Sequence, residues 1–192
     1  MSVRLSDKRY EEIKLIVVDM FKKYEISCVP ISGFEIATKM GIQVFMYSAL
    51  TQEQKIACYE FSEDGFSLFN EGKWIIYIND ITTGYERQNN TFLHEIGHIV
   101  LNHTEDSELA DSEANFFAKY ALVPPILVYK FKLSSVNEIM DIFNVSREAA
   151  TYALDYYNKW FQFSGYIKSY EIETIKIFKK CFEFIGGDVL EV

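Results

Sequence analysis

The chain has three histidines, and all of them fall within one stretch, Thr91-Phe92-Leu93-His94-Glu95-Ile96-Gly97-His98-Ile99-Val100-Leu101-Asn102-His103. Phe92, Leu93, Ile96, Ile99, Val100 and Leu101 give this stretch the character of a buried helix. His94 and His98 are four residues apart. On an α-helix that step turns about 400°, so both rings lie on one face, one turn apart. Two imidazoles inside an apolar helix are costly to bury without a partner. Gly97 adds a second constraint: at mid-helix it costs roughly 0.5–1 kcal/mol relative to alanine, so another element must approach closely there.

A divalent ion satisfies the first demand, because the two ring nitrogens can reach one metal at about 2.0–2.1 Å each. Glu95 lies about 100° round the helix, off the ligand axis but within reach of a water at the metal's open position, where it would serve as general base. The pattern is the His-Glu-x-x-His motif of zinc peptidases, and it points to Zn2+. The competing reading, a helix that merely houses structural histidines, leaves their concentration in one place unexplained. His103 is nine residues after His94 and on a continuous helix would face about 180° away from the metal. It therefore reads as a helix-end residue, and Leu101 and Thr104 do not fit the metzincin extension.

A third ligand must come from the acidic segment that follows, since no histidine or cysteine remains nearby. The candidates are Glu105, Asp106, Glu108, Asp111 and Glu113. If Ala110, Ala114, Phe117 and Ala121 form the packed face of a helix from about Ser107 to Leu122, Glu113 borders that face at about −60° from Ala110. Asp111 and Glu108 then fall at about 100° and 160°, toward solvent. Glu113 is the choice on this reading, because a carboxylate at a packed face needs a cation or a metal.

The remaining features bound the setting. A net charge of −9, from 28 acidic and 19 basic residues, works against non-specific binding to nucleic acid or anionic membranes. Cys28, Cys58 and Cys181 are odd in number and far apart, and read as reduced core thiols of a cytoplasmic chain. The N-terminal residues lack a signal-peptide segment, and the apolar run Tyr120 to Tyr129 is interrupted by Pro124-Pro125. Ser6 or Asp7 caps a first helix to about Tyr24 with Ile13, Leu15, Ile16, Val17, Met20 and Phe21 on its buried face. A short helix from Gly33 is closed by Gly41. Residues 42–47, 55–61, 66–69 and 74–78 read as strands, with Asp64-Gly65 as a hairpin turn. The strand 73–79 is either an ordinary core strand or an edge strand that pairs with an extended substrate. Asn89 or Asn90 caps the histidine helix, which runs to about Asn102. Near the end, 136–143 and 147–157 form two helices about the turn Asn144-Val145-Ser146, and a last helix, Tyr170 to Ile185, ends at Gly186-Gly187.

Three blocks in order, His94-Glu95-Ile96-Gly97-His98, Glu113-Ala114-Asn115-Phe116-Phe117-Ala118 and Leu122-Val123-Pro124, make the chain resemble the ImmA/IrrE metallopeptidases over roughly residues 10 to 160. The resemblance implies an α+β fold: a zincin-like helical core with a small, mainly antiparallel sheet of three to four strands (1–125), then a helical extension (126–192) with a helix-turn-helix-like element at about 134–160. It implies zinc on His94, His98 and Glu113, with Glu95 as base. It also implies cleavage of a regulatory protein substrate, typically a helix-turn-helix repressor of a phage, mobile element or stress response. Glu148 and Asp155 beside Arg147 make the second helix of the extension a poor reader of DNA. A role in packing or substrate recognition suits it better. The rival to catalysis is a zinc-containing, antitoxin-like regulator that binds a transcription factor without cutting it, and DNA binding is weaker still.

Overall fold

The computed structural model describes residues 3–105, 107–163 and 165–185. The fold is α+β, mostly helical with one small sheet. Its residues group into two compact units. One comprises the segment ending at Ser6 with Ser32–Ala118, and the other Asp7–Ile31 with the chain from Lys119 onward. No helix among the described residues is long and apolar enough to cross a membrane.

The first unit is built on a three-stranded sheet of order β1-β3-β2, from β1 (Gln43–Met46), β2 (Gly65–Asn70) and β3 (Lys73–Ile78). The sheet is mixed: β1 runs parallel to β3, while β2 is antiparallel to it. The 73–79 segment is therefore the central strand, and β1 and β2 are the edges. The hairpin between β2 and β3 turns at Glu71 and Gly72, both at positive φ (48° and 79°), as a tight primed turn requires. The turn expected at Asp64-Gly65 instead leads from a helix into β2.

That helix corrects the second expected strand. Residues 55–61 belong to α3 (Gln52–Phe61), which Thr51 and Gln54 start with a reciprocal capping box. The cap satisfies two otherwise orphaned backbone donors and outweighs the β-propensity of Ile56, Tyr59 and Phe61. All three of those side chains are exposed.

The helix α2 (Gly33–Lys39) is capped by Ser32, and Gly41 at φ 73° closes its end. It packs on α4 (Tyr85–Val100), the histidine helix. Asn89 does not cap α4. It is buried inside that helix, and its Oδ1 accepts a hydrogen bond from the Gly33 amide at 2.7 Å. The helix starts one turn earlier, with Gly84 at its N-cap. It also packs on β2 and β3.

In the second unit α1 (Asp7–Lys23) buries Ile13, Val17, Met20 and Phe21 as its pattern predicts, although Leu15 is exposed. It packs on α9 (Ser169–Ile177), where Phe21 meets Phe178 edge-on. Glu11 receives hydrogen bonds from Lys14, Lys168 and Tyr170 at 2.6–2.9 Å. The Cys28 and Cys181 thiols, far apart in sequence, meet at 2.7 Å, and both cysteines are free. The remaining helices are α6 (Pro125–Lys130), α7 (Val136–Phe143), α8 (Arg147–Phe163) and α10 (Lys179–Ile185). Asn144, at φ 50°, turns the chain between α7 and α8. The expected single last helix is two, α9 and α10, and its Gly186-Gly187 stop lies outside the described residues. α5 (Glu108–Leu122) begins in the first unit and continues into the second.

Candidate metal centre

The sequence of α4 turns one face to the sheet and to the first half of α5. Phe92, Leu93 and Ile96 are buried, with the two ligand-spaced histidines beside them. Gly97 meets the demand inferred for it. A Cβ there would lie 3.2 Å from Ala114 Cα and from Phe117 Cδ1, so the two helix backbones approach as closely as a missing side chain permits. Ala114 is itself fully buried. Small residues on both helices set the crossing, and the crossing sets the site.

At this crossing His94 Nε2 and His98 Nε2 lie 3.0 Å apart. Asp111 Oδ1 stands 3.9 Å from the first and 3.5 Å from the second. Donors bonded tetrahedrally to one ion at about 2.0–2.1 Å are roughly 3.3 Å from one another, and the point equidistant from these three atoms lies about 2.0 Å from each. The set thus fits a small divalent cation. The histidine side chains are only 20% and 16% exposed, whereas that of Asp111 is 63% exposed, so the site is walled on the protein side and open above the carboxylate. Burial lowers the His94 pKa, against the opposing pull of Asp111 and an Asn115 hydrogen bond. The ring is held neutral, as a ligand must be.

Glu113 does not join this set. Its Oε2 lies 3.0 Å from His103 Nε2, and among the described residues the carboxylate that groups with the two histidines is that of Asp111. The helical wheel explains the difference. Ser112 and Glu113 are buried along with Ala110, Ala114, Phe117 and Ala118, so the covered arc of α5 is wider than the alanine stripe indicates. Asp111 and Asn115, one turn apart, flank that arc on the histidine side. Of the other candidates, Glu105 lines a pocket with His103 and Glu113. Glu108 lies at the start of α5, where its backbone carbonyl accepts from Ser112. Asp106 lies outside the described residues.

His103 also departs from expectation. α4 ends at Val100, and Asn102 at φ 56° reverses the chain. The His103 ring therefore swings back instead of continuing round a helix. Its centroid is 4.9 Å from that of His98, with Nδ1 of each ring 3.0 Å apart.

Glu95 is buried against the sheet, and the Ser67 hydroxyl donates to its Oε2 at 2.7 Å. Ser67 was missed in the sequence, although a lone hydroxyl in the apolar strand Phe66–Phe69 is the kind of position that serves a neighbouring carboxylate. The edge strand β2 is thus tied directly to the residue expected to act as base.

A helix carrying His-Glu-x-x-His, crossed by a second helix that brings a carboxylate beside the histidines, gives a donor set that could hold a metal ion. The chain belongs to the peptidase M78 family, whose IrrE N-terminal-like domain matches residues 37–155. This is the family the motifs resemble. No curated protein matches the chain.

Proposed function

We propose that the protein is a zinc-dependent endopeptidase in which His94, His98 and Asp111 hold the metal and Glu95 is the general base. The observation that carries this is the triangle of donor atoms, of a size to fit zinc, with a buried carboxylate on the same helix. Two imidazoles and one carboxylate suit Zn2+ among the common divalent ions, and three protein ligands leave the fourth position open, as catalytic sites do. An ion held by His94, His98 and Asp111 would lower the pKa of a bound water toward about 7 and would polarise the scissile carbonyl. Glu95 takes a proton from the attacking water as the C–O bond forms, and returns it to the departing amine as the C–N bond breaks. Ser67 fixes the carboxylate in position for that transfer. The edge strand β2, anchored through Ser67, offers its backbone to an extended substrate segment.

The substrate is a regulatory protein of the helix-turn-helix repressor type, as the family resemblance suggests, in a phage, mobile-element or stress-response setting. The cytoplasm is the matching compartment. The α7–α8 pair serves packing or substrate recognition, with Glu148 and Asp155 arguing against DNA contact. In the test, the purified, zinc-loaded protein is incubated with the repressor encoded beside its gene, and fragments are read by mass spectrometry. Cleavage by the wild type and none by Glu95→Gln, with one zinc retained in both, supports the reading. Equal cleavage by Glu95→Gln refutes the base assignment. Zinc binding without cleavage, together with stable complex formation, favours the non-catalytic regulator.

A further inference from the structure

We infer that His103 and Glu113 form a relay that sets the tautomer of His98 and so holds it ready for the metal; the inference rests on the metal reading above. Three nitrogen and oxygen contacts of equal length run in series away from the centre. His98 Nε2 faces His94 and the Asp111 carboxylate. His98 Nδ1 lies 3.0 Å from His103 Nδ1, and His103 Nε2 lies 3.0 Å from Glu113 Oε2.

A neutral imidazole carries one proton, and an ionised carboxylate can only accept. With His103 neutral and Glu113 ionised, the His103 proton belongs on Nε2, facing Glu113 Oε2, which leaves His103 Nδ1 as an acceptor. The donor that faces it is His98 Nδ1–H. With its proton there, His98 must present a bare Nε2, which is the atom aimed at the metal position. The opposite assignment would set a bare His103 Nε2 against a carboxylate oxygen, lone pair against lone pair.

Burial makes the arrangement specific. The His103 and Glu113 side chains are 10% and 9% exposed, and a carboxylate so enclosed is costly without a matched donor. A partner that fixes a ligand's tautomer and ring orientation is worth about 10–100-fold in metal affinity. His103 and Glu113 are thus positioning residues that act on the metal position through His98. They also account for the two residues that the motif alone leaves without a role: a third histidine beyond the pair, and a buried glutamate beyond the ligand set.

The test compares zinc dissociation constants, by competition with a chromophoric chelator, for the full-length wild type, Glu113→Gln, His103→Phe and Asp111→Ala. The expected result for Glu113→Gln and His103→Phe is a dissociation constant raised about 10–100-fold, with one zinc per chain and an unaltered Co2+ d–d band. Asp111→Ala should change that band itself. Because the chain has three histidines, two-bond ¹H–¹⁵N correlations on the wild type read each tautomer directly. Protons on His98 Nδ1 and His103 Nε2 are expected, and Glu113→Gln should redistribute the latter. Unchanged affinity and tautomers in Glu113→Gln would overturn the relay. So would a Glu113→Gln protein that loses its zinc stoichiometry while Asp111→Ala keeps it, because Glu113 would then be a ligand. The wild-type tautomers decide the matter if a variant fails to fold. A wild type that takes up no zinc sinks the metal reading beneath, a different result from zinc bound equally well by every relay variant.

Discussion

Replacing Gly97 with alanine should loosen the metal site from a distance. The new methyl would sit 3.2 Å from Ala114 Cα, 3.2 Å from Phe117 Cδ1 and 3.3 Å from Phe117 Cβ, where carbon contacts settle at about 3.5–4.0 Å. Two of the three atoms are tied closely to the α5 backbone, so a rotamer change cannot relieve the clash and α5 must withdraw by a few tenths of an ångström. Alanine contributes roughly 0.5–1 kcal/mol of helix propensity, and overpacking of this kind costs about 1–3 kcal/mol. The net expectation is a loss of about 1 kcal/mol, or roughly 2–4 °C in melting temperature for a chain of this size. Asp111 sits on the same stretch of α5 as Ala114, so the withdrawal also draws the carboxylate off the two imidazoles and weakens zinc binding. Melting curves with and without zinc, with a chelator competition titration, measure both effects. A variant that melts higher, as propensity alone would dictate, with zinc affinity intact, would refute the claim that this crossing sets the site.

Gly33→Ala should be harsher, because its Cβ would fall 2.4 Å from Phe92 Cβ; a loss at the upper end of about 1–3 kcal/mol is expected in urea unfolding, and a neutral result would show that α2 is free to move off α4. Ser67→Ala removes the hydrogen bond to Glu95 and should lower turnover about tenfold, which corresponds to roughly 1.4 kcal/mol, at unchanged zinc content; equal or faster turnover would show that the serine only satisfies the carboxylate. In the second unit, burial alone would raise the Glu11 carboxyl, but the Lys14, Lys168 and Tyr170 hydrogen bonds outweigh it and hold the pKa at about 2, against 4.5 when free. A folded-state pKa below the unfolded one gives stability that is full above about pH 4.5 and lost as the pH falls toward 2. Since the group is partly exposed, screening leaves about 1 kcal/mol of it. Glu11→Gln should therefore flatten the dependence of the urea midpoint between pH 6 and pH 3, and an unchanged slope would remove Glu11 from the account.

The site's main helix was legible because its evidence is local. Spacing of four, a mid-helix glycine and an apolar flank depend on residues within a few turns, and α4 carries all of them. The α2 stop at Gly41 and the turn at Asn144 between α7 and α8 were readable for the same reason. Thr51 and Gln54 offered an equally local signal, a helix start, which the aromatic residues after it masked. The carboxylate that groups with the histidines was harder. Its choice turned on the phase of α5, and the alanine stripe marks only the middle of an arc that buries Ser112 and Glu113 as well. His103 was assigned by extending a helix that ends three residues earlier, and a single left-handed residue, Asn102, cancels that extrapolation. Strand order was not legible. Nothing local states that β3 lies between β1 and β2, nor that the first helix groups with the C-terminal ones.

Two of the proposed ligands are locked in a packed helix, but the third sits at a solvent-facing helix start, with its side chain 63% exposed. That asymmetry bears on how the protein would acquire its ion. The imidazole pair is assembled by folding alone, and the aspartate can swing aside without disturbing anything buried. Loading and loss would then proceed through one pivoting arm, at rates governed by chelators and free zinc outside and not by unfolding. Such a protein could be held finished but idle, its output following the supply of metal around it.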